Sequence, residues 1–292
     1  MLHTVIKIQV EGSLPEARLT TYLQEHYEDI LVDKRPLVLI CPGGAYAYTS
    51  VREGEALALQ FLAMGYHAAV LDYSCAPARF PTALAEAAFA VALIRKNAAE
   101  WHVDPNAIVV LGASAGGHLA ASLGTLWMED FIPEAAGLQD SEEFKAMGNK
   151  LFQPNGMILC YPVINSGEYA HRESFCNLLG EEEGHSERWE DKDSPLYQMS
   201  LETRVTAQTP PTFIWHTYTD GAVPVENSLF MVSALRRAGV PVEFHLYPQG
   251  GHGLALANRL TRYRDGSAVQ EECTSWISLV HTWLESSYVA KS

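Results

Sequence analysis

Three runs of almost entirely apolar residues constrain most strongly what this chain can fold into. They span residues 36–41, 67–73 and 107–111. A strand with one solvated face alternates between polar and apolar residues, whereas an unbroken apolar run is typical of a strand buried on both faces. Further strands are predicted at residues 4–10, 18–22, 156–161, 212–216 and 241–247, and helical spacing predicts helices at 53–64, 81–101, 116–127, 228–238 and 270–285. This alternation indicates an α/β protein with a mainly parallel central sheet covered by helices on both faces.

The length and composition favour one globular unit. Of the 292 residues, 48% are hydrophobic and 19% are charged, which excludes a disordered chain. No linker-like segment divides the sequence, so we expect a single domain over residues 1–292. Two long connections, at about 128–155 and 165–211, are expected to be insertions that form a rim or cap. We call them the first and second rim segments.

The formal charge of -15, from 35 acidic and 20 basic residues, limits the possible partners. Such a surface is repelled by phosphate backbones and anionic lipids, so we expect neither nucleic-acid nor membrane binding. Residues 128–205 alone hold 16 acidic and 6 basic residues, so the surplus is concentrated around the rim segments. This favours a neutral small-molecule substrate and argues against a large apolar lid.

Cysteine usage and the N-terminus favour a cytoplasmic protein. Five widely spaced cysteines without a CxxC pair argue against a disulfide framework or a zinc knuckle. The sequence also has no HxH or HExxH pattern that would suggest a metal site. We see neither a signal peptide nor an apolar run of the ~20 residues that a membrane span needs.

A G-x-S-x-G pattern follows the third apolar run, at Gly112 to Gly116, and a predicted helix comes after it. A serine on a sharp turn between strand and helix is lifted clear of the sheet, and glycines on either side leave room for that turn. The following helix directs its positive N-terminal end at any negative charge that develops nearby. Ser114 is therefore predicted to be a nucleophile, with a chance glycine-rich turn as the alternative.

A loop of small residues follows the first apolar run and could hold an oxyanion. Backbone N–H groups of small residues can approach a substrate oxygen closely, and each such donor contributes on the order of 3 kcal/mol to ester hydrolysis. We predict an oxyanion hole made by the N–H groups of Gly44, Ala45 and Ala115. Tyr46 and Tyr48 are predicted to line the substrate pocket, although they could instead pack the loop.

The general base must be chosen from eleven histidines. His252 lies just beyond the predicted strand 241–247, at the carboxyl end of the sheet where ligands collect in α/β folds. His245 lies inside that strand and is expected to be structural, and His216 is a weaker competitor. His118 follows Ser114 by one helical turn, which suits either a pocket position or a hydrogen-bonding role inside the protein.

The orienting carboxylate is predicted to be Asp220, which follows the strand 212–216. The order Ser114, Asp220, His252 is the order of the catalytic residues in α/β hydrolases. Asp191 and Asp193 lie among other charges and are poorer candidates. A helix N-terminal cap remains the structural alternative for Asp220.

Together these segments resemble bacterial α/β-hydrolase serine esterases related to the hormone-sensitive-lipase group, and most of all the carbohydrate acetylesterase branch, which is acetyl-xylan-esterase-like. The resemblance covers about residues 18–283 and is carried by residues 41–46, 71–77, 112–119, 215–220, 223–228 and 250–253. It implies the α/β-hydrolase fold, no cofactor, and the possibility of a homo-oligomer. Two positions depart from the wider group, because Pro42 replaces a histidine and Ala45 replaces a glycine. Ala45 still retains its N–H group.

The predicted activity is hydrolysis of short-chain, acetyl-type esters, such as those of acetylated sugars, through an acyl-enzyme. Aromatic residues and a histidine in the second rim segment suit either sugar stacking or simple packing, namely Tyr169, His171, Phe175, Trp189 and Tyr197. His171 and His185 could touch substrate or lie at the surface. A serine peptidase of the same fold, a longer-chain esterase or lipase, and a non-catalytic relative remain the alternatives.

Overall fold

Eight strands form one sheet in the order β1-β2-β4-β3-β5-β6-β7-β8 in a computed structural model that describes residues 1–289. The strands are β1 Leu2–Lys7, β2 Arg18–Leu23, β3 Arg35–Cys41, β4 His67–Asp72, β5 Val103–Ala113, β6 Gly156–Cys160, β7 Thr212–Thr217 and β8 Val242–Tyr247. From β4 to β8 neighbouring strands run parallel, while β2 is antiparallel to both β1 and β4. The mainly parallel α/β sheet is therefore confirmed.

The apolar runs occupy the centre of this sheet. Leu37 to Cys41 of β3, and Ala107 to Leu111 and Ala113 of β5, are each at most 1% exposed. Two buried apolar clusters lie on the two faces of the sheet, because successive side chains of a strand point to opposite faces. β5 begins earlier than predicted, since Arg35 pairs with Val103 ahead of an irregularity in the register.

The helices cover both faces and leave the carboxyl ends of the strands accessible. The longer ones are α1 Glu55–Ala63, α2 Thr82–Lys96, α3 Ala115–Leu126, α6 Arg172–Leu179, α9 Glu226–Arg237 and α10 Trp276–Leu284. The short ones are α4 Ile132–Ala135, α5 Glu142–Met147, α7 Glu181–Gly184 and α8 Pro195–Gln198. The predicted helix 53–64 begins later than expected, because residues Val51–Glu53 form a separate 3-10 turn.

The two rim segments differ in position. The first, which contains α4 and α5, packs near α2, where Lys96 forms an ion pair with Glu143 at 2.9 Å. The second, which contains α6 to α8, reaches the loop after β3, because the Asn177 side chain donates to the Ala45 carbonyl at 2.9 Å. Residues 290–292 of the predicted single domain lie outside the described residues. Within residues 1–289, no helix combines the length and apolar character needed to cross a membrane.

Candidate active site

Ser114 occupies a strained turn between β5 and α3. Its φ of 54° and ψ of -120° lie in a region that side chains rarely adopt. A Cβ added to Gly112 would lie 2.0 Å from the Gly116 carbonyl oxygen, and one added to Gly116 would lie 2.0 Å from the Cys41 carbonyl oxygen. The two glycines are therefore required by close backbone contacts, as the sequence pattern predicts.

The structure brings the three residues of the predicted triad together. The His252 Nε2 atom lies 2.7 Å from the Ser114 hydroxyl oxygen, and the His252 Nδ1 atom lies 2.7 Å from Asp220 Oδ2. Both distances are those of hydrogen bonds, as a general base requires with its nucleophile and with the carboxylate that orients it.

Asp220 accepts hydrogen bonds on both carboxylate oxygens. Its Oδ1 atom accepts from the N–H groups of Ala222 at 2.9 Å and Val223 at 3.0 Å. Its Oδ2 atom is 3.2 Å from His216 Nε2 in addition to the bond from His252. Burial opposes ionisation of Asp220, but the hydrogen bonds from the two histidines outweigh it and hold its pKa below the usual value. The helix-cap alternative is wrong, because these N–H groups precede α9, whose N-terminal cap position is Val225.

The loop after β3 presents free N–H groups beside Ser114. Gly44 has a φ of 129° and Ala45 a φ of 55°, so the backbone turns away from the strand direction there. Within residues 1–289, the N–H groups of Gly44, Ala45 and Ala115 have no hydrogen-bond acceptor. Gly44, Ala45 and Ser114 line one cleft, and Ala115 is the first residue of α3, directly after Ser114. The predicted oxyanion donors are thus close to the serine and unpaired.

The cleft has a volume of about 190 Å³, and its walls combine polar and apolar surface. Its lining residues come from the loop after β3, from Ser114, from the second rim segment and from the loop after β8: Gly44, Ala45, Tyr48, Ser50, Glu53, Ser114, His171, Glu173, His252, Gly253 and Tyr263. Among the described residues 1–289, the cleft lining contains two glutamates and neither lysine nor arginine. Such a cleft disfavours anionic ligands.

Comparisons with known proteins show which family the chain belongs to. The protein-family model BD-FAE matches residues 26–235. The chain belongs to the BD-FAE family. It is 36% identical over 253 residues to endo-1,4-beta-xylanase B of Butyrivibrio fibrisolvens, a match that covers 85% of this chain and 36% of that protein. It is 30% identical over 192 residues to the acetylxylan esterase of Xylanibacter ruminicola, which covers 64% of this chain and 34% of that protein. The chain therefore spans about a third of the length of these curated relatives.

Solved structures match over nearly the whole chain. The acetyl ester-xyloside bifunctional hydrolase from Caldicellulosiruptor lactoaceticus is 32% identical and superposes with a TM-score of 0.77, covering 97% of this chain and 96% of that one. The resemblance to α/β-hydrolase esterases of the hormone-sensitive-lipase type is confirmed, and so is the α/β-hydrolase fold. This BD-FAE member is thus related to esterases in both its family and its fold.

Two predicted pocket residues lie elsewhere. Tyr46 and His118 are 3% and 0% exposed, and neither lines the cleft. The positive φ of Tyr46 turns its ring inward, where its hydroxyl lies 2.9 Å from His118 Nδ1. The His118 Nε2 atom lies 3.0 Å from the carbonyl oxygen of Met199, and burial lowers the pKa of this histidine to about 4. The pocket prediction is wrong for both residues, whereas Tyr48 does line the cleft.

Two of the rim aromatics named from sequence pack against other rings. Phe175 is buried with its ring 5.4 Å from that of His118, and Tyr169 lies 5.6 Å from the Phe230 ring. Of the five residues considered for sugar stacking, His171 alone lines the described cleft. His171 is partly buried, and burial together with the nearby His252 lowers its pKa.

One side-chain group among residues 1–289 could hold a metal ion. Cys176, Glu181 and His185 offer ligand atoms that all lie within 4.8 Å of one another. Cys176 lies on α6, Glu181 on α7 and His185 directly after α7, and none of the three residues lines the cleft. It is separate from the serine, histidine and aspartate arrangement.

Sequence reasoning did not assign the roles of three polar residues around the triad. His216 bonds to Asp220 rather than competing with His252, and its Nδ1 atom lies 2.8 Å from the Ser228 hydroxyl. Glu53, a buried residue of the cleft lining, accepts a hydrogen bond from the hydroxyl of the buried Tyr161 at 2.6 Å. His216 lies near the end of β7 and Tyr161 directly follows β6, and the carboxyl ends of both strands meet at the site. Their positions along the strands could therefore have indicated that they lie near the triad. Nothing in the helix-like spacing around Glu53 indicated its role.

Proposed function

We propose that this protein is a serine carboxylesterase that hydrolyses short-chain esters, acetyl esters of sugars above all, through an acyl-enzyme on Ser114. The observation that carries the proposal is the pair of 2.7 Å hydrogen bonds that join Ser114, His252 and Asp220. The unpaired N–H groups of the oxyanion loop next to Ser114 support the same chemistry.

The first half of the reaction forms the acyl-enzyme. The Ser114 hydroxyl oxygen attacks the ester carbonyl carbon while His252 Nε2 takes the hydroxyl proton. The carbonyl oxygen becomes an oxyanion, which the N–H groups of Gly44, Ala45 and Ala115 stabilise. When the tetrahedral intermediate collapses, the carbon–oxygen bond to the alcohol breaks and His252 returns its proton to the departing alcohol.

The second half frees the serine. Water attacks the acyl carbonyl carbon and gives a proton to His252, and the second tetrahedral intermediate uses the same donors. Its collapse releases the carboxylic acid and returns the proton from His252 to Ser114. Asp220 stays ionised throughout and holds His252 in the tautomer that carries its proton on Nδ1.

A small neutral ester fits the cleft better than a long-chain one. A cleft of about 190 Å³ is smaller than the ~300 Å³ at which drug-sized ligand pockets begin. Tyr48 and Tyr263 line it and are 63% and 45% exposed, which leaves aromatic faces available to an alcohol group such as a sugar ring. An acetylxylan esterase and an acetyl ester-xyloside hydrolase among the similar proteins support the choice of acetyl.

A series of p-nitrophenyl esters from acetate to octanoate tests this proposal, together with an acetylated xylo-oligosaccharide. We expect kcat/KM to be highest for acetate and to fall by about tenfold or more by octanoate, because one methylene that does not fit costs roughly tenfold or more. A preference for octanoate would contradict the acetylesterase assignment. Faster cleavage of aminoacyl p-nitroanilides than of any ester would instead favour a peptidase.

A further inference from the structure

The loop that carries His252 has little regular structure of its own. It runs from residue 248, after β8, to residue 270, and we call it the histidine loop. Gly250 is held from the β7 side, because the hydroxyls of Thr217 and Thr219 each donate to its carbonyl at 2.9 Å. Since His252 must stay within hydrogen-bond distance of Ser114, the opposite side of this loop also needs an anchor.

A chain of three hydrogen bonds links the histidine loop to the oxyanion loop through Glu53. The Gly43 N–H donates to Glu53 Oε2 at 2.9 Å, and the Tyr161 hydroxyl donates to Glu53 Oε1 at 2.6 Å. The Tyr161 hydroxyl in turn accepts from the Ala255 N–H at 2.8 Å. Glu53 is 3% exposed, so the chain is shielded from water. The Tyr161 ring also lies 5.2 Å from that of His252.

Arg52, the residue before Glu53, holds the same loop at two other points. Its Nη1 atom donates to the Gly253 carbonyl at 2.9 Å, and its Nε atom donates to the Thr261 carbonyl. The guanidinium carbon lies 3.7 Å from the centre of the Tyr263 ring, over its face. The guanidinium combines this contact over the ring with two hydrogen bonds in fixed directions, which the single ammonium group of lysine cannot reproduce.

We propose that Arg52 and Glu53 are positioning residues that jointly set the distance between the oxyanion loop and His252; this inference rests on the proposed esterase function. The anchors lie immediately after His252, at Gly253, and three residues after it, at Ala255. Both reach back to one 3-10 turn that is directly bonded to Gly43. Movement of that turn therefore displaces the base and the oxyanion donors together.

The physical consequence is a loss of turnover rather than of binding. Ester hydrolysis needs the base and the oxyanion donors in place at the same time, and a displacement of about 1 Å can cost about a hundredfold in rate. Tyr161→Phe and Glu53→Gln leave the contact between Arg52 and the Tyr263 ring in place, so substrate contacts with the exposed tyrosines are retained in these variants. A disturbed anchor should therefore lower kcat while KM changes little.

Three conservative variants test the proposal. Tyr161→Phe removes one hydroxyl and keeps the ring. Glu53→Gln keeps the shape of the side chain but removes its charge. Arg52→Lys keeps the positive charge but loses the planar guanidinium and its two hydrogen-bond donors. Tyr247→Phe is the matched control, because the Tyr247 hydroxyl bonds to Ser275 at 2.8 Å, away from the cleft lining. Arg18→Lys is the second control, since Arg18 forms an exposed ion pair with Asp72 at 2.8 Å.

For p-nitrophenyl acetate, we expect Tyr161→Phe and Glu53→Gln each to lower kcat by roughly tenfold to a hundredfold, with KM within about threefold of the original value. The double variant should lose less than the product of the two single effects, because both residues belong to one hydrogen-bonded chain. Arg52→Lys should also lower kcat, with a rise in KM as well because Arg52 supports the Tyr263 ring, and both controls should leave kcat and KM unchanged. Activities are compared per folded protein, using thermal melting and circular dichroism.

An unchanged kcat in folded Tyr161→Phe and Arg52→Lys would overturn the proposal, as would strictly multiplicative effects of Tyr161→Phe and Glu53→Gln. A loss that appears in KM alone would also contradict it. If one variant fails to fold, the others still decide the question. An original protein that hydrolyses no ester would contradict the proposed function, whereas an active one with unaffected variants would contradict only the positioning role.

Discussion

At the scale of single residues, Asp220 determines the arrangement of the site. Two backbone N–H groups fix its Oδ1 atom as an acceptor, and two histidines share its Oδ2 atom. His252 can therefore present a proton on Nδ1 to the carboxylate and an unprotonated Nε2 to Ser114. A proton acceptor facing the serine is what the proposed reaction needs.

Replacement of Asp220 by asparagine should lower kcat for p-nitrophenyl acetate by about 10³- to 10⁴-fold, the loss seen when such a carboxylate becomes an amide. The N–H groups of Ala222 and Val223 keep the amide oxygen on their side, so the amide NH₂ faces His252. The imidazole then carries its proton on Nε2 and cannot accept one from Ser114. Asp191→Asn is the control, because Asp191 pairs with Arg188 at an exposed site. A loss of less than tenfold in Asp220→Asn would contradict the assigned role.

The sequence was sufficient to predict the three triad candidates, since each follows a strand and the chain order is that of the fold. It was not sufficient for Tyr46 and His118, because spacing along a helix or loop does not show whether a side chain turns toward the cleft or the interior. Tyr46 turns inward through a left-handed backbone conformation, for which the residue type gives no signal. Glu53 was missed for a similar reason, since only the folded chain brings residues 43, 53 and 161 together.

At the scale of elements, the turn between β5 and α3 connects the sheet to the site. α3 begins at Ala115, so its N-terminal end lies next to the proposed oxyanion. The strand and the helix can approach so closely because Gly112 and Gly116 have no side chains. The sequence predicted this turn because its glycine spacing is local, whereas the early start of β5 depends on pairing with β3 and could not be read from local spacing.

Gly116→Ala should lower the free energy of unfolding by about 3 kcal/mol or more, because overpacking against fixed backbone costs at least as much as overpacking against side chains. The added Cβ would meet the Cys41 carbonyl, which β3 holds in place. Gly221→Ala is the matched control: nothing lies within 4 Å of its added Cβ, so we expect a change within about 0.5 kcal/mol. Urea unfolding of both variants checks this, and equal stabilities would contradict the close contact at the turn.

At the scale of the whole molecule, buried titratable groups make stability depend on pH. His67 on β4 is fully buried; its Nδ1 atom accepts from the Gln24 N–H at 3.1 Å, and its Nε2 atom lies 3.2 Å from the His102 carbonyl. Burial lowers its pKa from 6.5 to about 4. Between these values the unfolded chain binds a proton that the folded protein does not, so stability falls as the pH falls. Burial raises the pKa values of Glu86 and Glu202, which act in the opposite direction.

The variant His67→Gln separates the contribution of His67 to the pH dependence of stability from that of the two glutamates. Between pH 7 and pH 5, the free energy of unfolding of the original protein should decrease by about 2 kcal/mol more than that of His67→Gln, which cannot titrate. Urea unfolding at the two pH values provides the comparison. Parallel decreases in the two proteins would show that His67 does not carry this pH dependence.

The net charge follows from the composition, and the α/β class follows from the pattern of apolar runs. Each of these properties is determined by many residues together. The -15 net charge and the glutamates of the cleft together favour a neutral substrate. Which alcohol is esterified depends on the shape of the rim, and none of the rim aromatics named from sequence lines the described cleft. Substrate choice is therefore the property that the sequence pattern specified least.

The most direct test of the central claim is covalent labelling of Ser114. Diethyl p-nitrophenyl phosphate should add one diethylphosphoryl group to the protein, located on Ser114 by peptide mass spectrometry, with esterase activity lost in proportion. Ser114→Ala should remain unlabelled and should hydrolyse p-nitrophenyl acetate more slowly by several powers of ten, because the nucleophile is gone. Labelling at another residue, or near-full activity in Ser114→Ala, would contradict the account of this protein as a serine esterase.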